Sequence, residues 1–184
     1  MLFGIISVAI LVVFGLILIG YFNRLVVRRN RTENAWSQVD VQLKKRYDLV
    51  PNLVKTVKGY AKHEKELFEN VTEARSSAIN ANGADEQGKA ENMLSQTLKS
   101  IFAVAENYPD LKANENFKLL QEELSGIESK IAYARQFYND AAYAYDNAME
   151  TFPNSVVAKL FSFKQISYFE IEEAEKEPVQ VDFN

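Results

Sequence analysis

The chain has 184 residues, 47% of them apolar and 25% charged, with a formal charge of -4 and no cysteine. That length admits one domain with an appendage and is too short for two large enzymatic domains. The mean hydropathy of -0.22 is too polar for a multi-pass membrane protein, and the apolar content is too high for a disordered polyelectrolyte. Without cysteine there are no disulfides, thiolate metal sites, iron-sulfur clusters or cysteine nucleophiles.

From Leu2 to Phe22 no side chain is ionisable, and fifteen of these twenty-one residues are Leu, Ile, Val or Phe. As a helix the segment is about 31 Å long, matching a hydrocarbon core of roughly 30 Å. Each central apolar residue favours insertion by about 0.3 to 0.6 kcal/mol, and no buried charge opposes it. A cleaved signal peptide fits less well, since a basic leading region and a small-x-small site are both missing. Residues 1–23 are therefore expected to anchor the chain in a membrane, with lipids as the first partner. Arg24, Arg28, Arg29 and Arg31 follow the apolar run directly. Basic flanks stay inside, so the expected location is the bacterial inner membrane, single-pass, with the N-terminus outside and the remainder cytoplasmic.

The apolar stride then changes to that of packed helices. Trp36, Val39 and Leu43 extend the membrane helix to about Arg46. A second helix is expected from about Asp48 to Asn80, with Leu53, Val57, Tyr60, Leu67, Val71, Ala74 and Ala78 on its stripe. Asp48 can cap it with Pro51 in the first turn, although a continuous helix through Pro51 also satisfies the pattern. Asn82-Gly83 signals a turn before a third helix, about Glu86 to Asn107, whose stripe is Leu94, Leu98, Ile101 and Ala105. The fourth is the clearest. Phe117, Leu120, Leu124, Ile127, Ile131, Ala134, Tyr138, Ala141, Tyr145 and Ala148 alternate steps of three and four, after a cap at Asn114 and before a stop at Phe152-Pro153.

Four such segments on short connections can bury their stripes only against one another, so the expected fold is all-α: a single N-terminal transmembrane helix continuing into an antiparallel up-down helical bundle over residues 24–152. Residues 153–184 differ in kind. Val156 to Ile171, with Phe161, Phe163, Tyr168 and Phe169, suits a docking segment that lies along the bundle, docks another subunit or touches the membrane interface, covering the bundle being the first expectation. Glu170 to Asn184 carries six acids against Lys176 alone.

The inventory is poor in groups for catalysis. His63, the only histidine, opens a His-Glu-x-x-His zinc pattern, but Leu67 stands where the second histidine belongs. A carboxylate di-metal site of the kind bundles host would need Glu-x-x-His, and Tyr60 occupies the Glu position. Glycine-rich phosphate loops and GxSxG are absent. No catalytic, cofactor-binding or metal-binding residue is assigned, no cofactor is expected, and a carboxylate-dependent metalloenzyme is the weakest alternative. The basic cluster beside the span is explained by topology, with no nucleic acid as partner.

Polar side chains inside apolar turns form the remaining candidate site. Trp36, Asp40, Gln42, Asp48 and Asn52 lie early, and Arg135, Tyr138, Asn139 and Asp140 late in the chain. These residues suit either a hydrogen-bonded network that fixes helix register or a partner-contact surface.

The run Asn34-Ala35-Trp36-Ser37-Gln38-Val39-Asp40-Val41-Gln42-Leu43, continuing Lys44 to Val54, resembles the LemA family of bacterial membrane-anchored proteins. So do the stretch from Thr56 to Glu64, Tyr108-Pro109-Asp110-Leu111-Lys112-Ala113, and Ala134-Arg135-Gln136-Phe137-Tyr138-Asn139-Asp140. The resemblance covers nearly the whole chain. It implies one transmembrane helix, a short outside N-terminus, a cytoplasmic antiparallel bundle and no enzyme. One branch is linked to membrane invagination in magnetosome formation, which implies membrane shaping as an alternative to a scaffold or adaptor role. Membrane or cytoplasmic proteins and a second copy of the chain are the expected protein partners. The topology predicts that a cysteine replacing Ser100 resists impermeant thiol reagents in intact cells and reacts after permeabilisation. Labelling in intact cells reverses the orientation.

Overall fold

A computed structural model describes residues 1–170 of the chain. These residues form helices α1 (Leu2–Lys58), α2 (Lys65–Asn80), α3 (Gly83–Ala105), α4 (Pro109–Ala113), α5 (Glu115–Glu150) and α6 (Asn154–Leu160), with no strand among the described residues. The chain is all-α, an apolar N-terminal helix running into an antiparallel bundle. It divides into two compact units, one of Met1–Val39 with Ala134–Ile166, the other of Asp40–Tyr133 with the segment from Ser167.

The first unit holds the N-terminal part of α1, among the described residues the one helix long and apolar enough to cross a membrane. Its large apolar side chains from Leu2 to Ile19 are mostly exposed. Beyond them the helix gains a buried face: Leu25, Ala35 and Val39 are fully covered. Around Leu25 gather Tyr145, Ala148 and Met149 of α5 with Val157 and Ala158 of α6. The segment after α6 lies against α5, where the Tyr145 hydroxyl donates to the Lys164 carbonyl (3.2 Å) and the Ile166 N–H donates to Asp146 Oδ1 (3.3 Å).

The second unit buries one continuous core drawn from Val50, Leu53 and Val57 of α1, Phe68, Val71, Ala74 and Ala78 of α2, Leu94, Leu98 and Ile101 of α3, Leu111 of α4, and Phe117 and Leu124 of α5. The two-residue link between α2 and α3 reverses the chain and packs these helices on each other. Gly83 supplies the turn with φ of +80°, a value that disfavours any side chain. The Asn114 cap is present, its Oδ1 accepting from the Phe117 N–H at 3.0 Å. Phe169 returns to this unit and is buried, and a Cβ on Gly88 of α3 would meet the backbone of Glu170 at 3.1 Å. Within the segment expected to dock, Val156 to Ile171, Phe169 is thus buried while Phe161 and Tyr168 stay exposed. The acidic tail, past Glu170, lies outside the described residues.

One boundary differs from the sequence reading. No helix begins at Asp48: α1 continues through Pro51 to Lys58, and the break falls at residues 59–64. Val39, Leu43, Arg46, Val50, Leu53 and Val57 keep a four-three stride across the proline, and burying that stride outweighs about 3 kcal/mol for an interior proline. The break is held by its neighbours in the unit. Tyr60 accepts from Asn114 Nδ2 (3.0 Å), and Glu64 accepts from the Tyr108 hydroxyl (3.3 Å).

Pro51 has no N–H to offer the carbonyl of Tyr47, four residues earlier. Arg75 of α2 replaces it, donating from Nε to that oxygen at 2.8 Å. The proline is thus tolerated because a neighbouring helix satisfies the group it orphans. Arg75→Met should cost about 2 kcal/mol by leaving this oxygen unsatisfied. In a Pro51→Ala background, where an N–H is restored, the same change should cost less than half as much by denaturant unfolding. Equal costs in both backgrounds contradict the arrangement.

Candidate functional site: a buried ionic network

Stripes at three-four spacing are normally apolar, and a charge on one must find a partner or destabilise the bundle. Three polar residues of the second unit occupy such positions. Arg46 falls between Leu43 and Val50 on the stripe of α1, and Gln87 and Glu91 precede Leu94 and Leu98 on that of α3. Arg46 and Glu91 are only 2% and 3% exposed.

They meet. Arg46 Nη1 lies 3.2 Å from Glu91 Oε2 and 3.1 Å from Glu128 Oε2 of α5, and Nη2 donates to Ser95 Oγ at 2.7 Å. Ser95 in turn donates to Glu128 Oε1 at 3.2 Å. The other oxygen of Glu91 accepts from the Tyr47 hydroxyl and from Gln87 Nε2 (3.1 Å). Gln87 Nε2 also reaches Tyr47 Oη at 2.8 Å and the Ala78 carbonyl at 2.9 Å. One guanidinium therefore ties α1, α3 and α5 together, while Tyr47 and Gln87 extend the network to α2.

Burial is the main force on the protons here. It pushes the Glu91 carboxyl above its ordinary 4.5, against the opposing pull of the Tyr47 hydrogen bond, Arg46 and Gln87, while Glu128 adds to the rise. Burial likewise raises the Tyr47 phenol, with the Glu91 charge adding to it, so Tyr47 remains a donor at neutral pH. The members hold one another: Arg46, Gln87 and Glu91 are buried, Tyr47 and Ser95 are half-buried, and Glu128, half-exposed, borders solvent.

The residues singled out from sequence are distributed differently. In the first unit Trp36 and Tyr138 do come together, edge-on with ring centres 5.1 Å apart. Burial, with Asp146 second, pushes the Tyr138 phenol up to about 12. Arg135 and Asn139 are half-buried and Asp140 is exposed. Of the basic flank, Arg28 Nη1 donates to the Ala144 carbonyl at 2.9 Å, and Arg29 pairs with Glu33 (3.6 Å) and stands over the Phe163 ring at 5.8 Å. Arg24 and Arg31 are exposed. In the second unit Asp40, Asp48 and Asn52 are exposed and Gln42 is half-buried. Asp48 borders an open groove of about 620 Å³ with Lys45, Glu122, Glu123 and Lys130, a lining of mixed charge. Among the described residues no three of His, Asp and Glu converge as metal ligands.

The sequence reading missed Arg46, Tyr47, Gln87, Glu91 and Glu128. A signal for them existed in the stride, which places Arg46 and Glu91 on core positions of two helices that a bundle must bring together. Because folding holds the Glu91 proton more tightly than the unfolded chain does, this group favours folding most below pH 4.5. That contribution is lost as pH rises through the raised folded value. Glu91→Gln should flatten the decline, read as melting temperature against pH. An unchanged slope would mean Glu91 titrates as an ordinary carboxylate.

The LemA family profile matches residues 35–183 of the chain. The chain is similar to magnetosome protein MamQ 1 of Paramagnetospirillum magneticum, at 25% identity over 95% of this chain and 74% of the relative. Magnetosome protein MamQ of Magnetospirillum gryphiswaldense shares 24% over the same fractions. Protein LemA of Metamycoplasma hominis shares 27% over 92% of this chain and 77% of the relative. With the profile covering both units and an apolar N-terminal helix ahead of it, the chain belongs to the LemA family.

Proposed function

We propose that this chain is a non-enzymatic scaffold or adaptor of the bacterial inner membrane, with its N-terminus outside and its helical bundle displayed to protein partners in the cytoplasm. The observation that carries this reading is the set of large apolar side chains that α5 leaves uncovered. Leu119 and Tyr133 are 58% and 75% exposed in one unit, and Phe137 and Tyr143 are 50% and 64% exposed in the other. Aromatic anchors of this kind dominate protein interfaces. The buried ionic network supports a supporting role for the core: it fixes which helices face one another and leaves the outer faces for recognition.

The similarity to magnetosome proteins favours a second reading, in which copies of the chain associate and shape the membrane. Photo-crosslinking in native membranes distinguishes the two. A photoreactive phenylalanine at position 137 or 143 should yield adducts with a different protein. Adducts between copies favour the membrane-shaping reading, and the lack of any protein adduct at both positions contradicts display to partners. Phe137→Ala with Tyr143→Ala should shift stability by no more than about 0.5 kcal/mol, because both are surface sites. Stoichiometric metal in the purified protein would overturn the non-enzymatic reading.

A further inference from the structure

In the first unit α6 is placed by its packing at the depth where the apolar segment ends. Its buried face, Val157 and Ala158, joins a cluster that partly covers Leu18, Tyr21 and Phe22 of α1. The Phe22 ring meets Phe161 edge-on at 4.8 Å and Phe163 at 5.6 Å. Leu18 and Phe22 belong to the charge-free run and Leu25 follows Arg24, so α6 stands where the last turn of that run meets the start of the basic flank.

The opposite face of α6 is apolar and uncovered. Val156 and Leu160 lie one turn apart on it, with Phe152 before the helix and Phe161 at its end, and all four are between 51% and 83% exposed. Lys159 lies between them and is exposed. Four neighbouring large apolar groups are costly to leave in water. The ring contact between Phe161 and Phe22 joins this patch to the equally exposed apolar surface of the span, so one medium covers both.

We propose that α6 is an interfacial helix, lying in the headgroup region of the same membrane that holds the span. Phe152, Val156, Leu160 and Phe161 enter the acyl boundary, and Lys159 and Arg24 reach anionic headgroups. The chain then has two lipid contacts, one across the bilayer and one along its surface, and α6 sets the tilt of α5 against the membrane. This rests on the membrane-anchor reading of residues 1–23.

The chain has no cysteine, so single labels test it directly. Full-length protein would be reconstituted in vesicles of neutral and anionic phospholipid with an environment-sensitive fluorophore on Ile10→Cys, Leu160→Cys or Lys118→Cys. Lipid-borne quenchers should reach the labels at 10 and 160, with the label at 160 favouring a shallow quencher over a deep one. Iodide should quench the label at 160 at least ~2-fold less than that at 118, as expected for a helix in the interface. Iodide quenching at 160 equal to that at 118, with position 10 in lipid, overturns the proposal and leaves the anchor standing. Shielding at 160 from both quenchers means that protein covers the patch, which also overturns it. Iodide access at position 10 removes the anchor and the proposal together. A label at Val156→Cys repeats each comparison if the change at Leu160 disturbs α6.

Discussion

A charge placed on the buried seam of a helical bundle must meet its counterpart, and the second unit is organised around one such meeting. Arg46 on α1 and Glu91 on α3 are both almost completely excluded from water and 3.2 Å apart. Only a particular register of the helices satisfies them together with Tyr47, Gln87 and Ser95. Burying an ion pair contributes little net stability compared with well-packed apolar residues, yet removing one partner is severely destabilising. The pair therefore acts as a filter on arrangement: bundles in which the helices slide by a turn leave two isolated charges in the core.

The same logic explains how the chain tolerates Pro51. A proline inside α1 leaves a carbonyl without its helical donor, and Arg75 supplies one from α2. Tyr47 is held at both ends as a result, its carbonyl by Arg75 and its hydroxyl by the Glu91–Gln87 pair. Polar atoms that regular helices cannot satisfy are thus answered by specific side chains from neighbouring elements. The outer surfaces of the helices stay free of this duty, which lets α5 keep uncovered aromatic groups and α6 an uncovered apolar face.

Much of the architecture was legible in the residues. A charge-free run from Leu2 to Phe22 gives a span-length helix whatever follows it, and the ten-position stride from Phe117 to Ala148 matches α5 closely. The Asn82-Gly83 turn and the Asn114 cap rest on local backbone chemistry, which needs no tertiary information. The break at residues 59–64 was harder, because Pro51 is the stronger local signal and its effect is cancelled by Arg75, a residue distant in sequence. The ionic network was hidden for a related reason. The polar residues around Asp40 and Asp140 stand out as interruptions beside the stride, whereas Arg46 and Glu91 interrupt the stride itself and so have to be buried.

The most direct measurement is a double-mutant cycle on the seam pair, using Arg46→Met, Glu91→Met and the combined variant in detergent-solubilised full-length protein. Each single change should cost about 3 to 5 kcal/mol by stranding a buried charge or its hydrogen-bond partners, and the combined variant should cost less than either alone. Single costs that simply add would show that the two side chains do not depend on each other, and would contradict the account of how this bundle chooses its register.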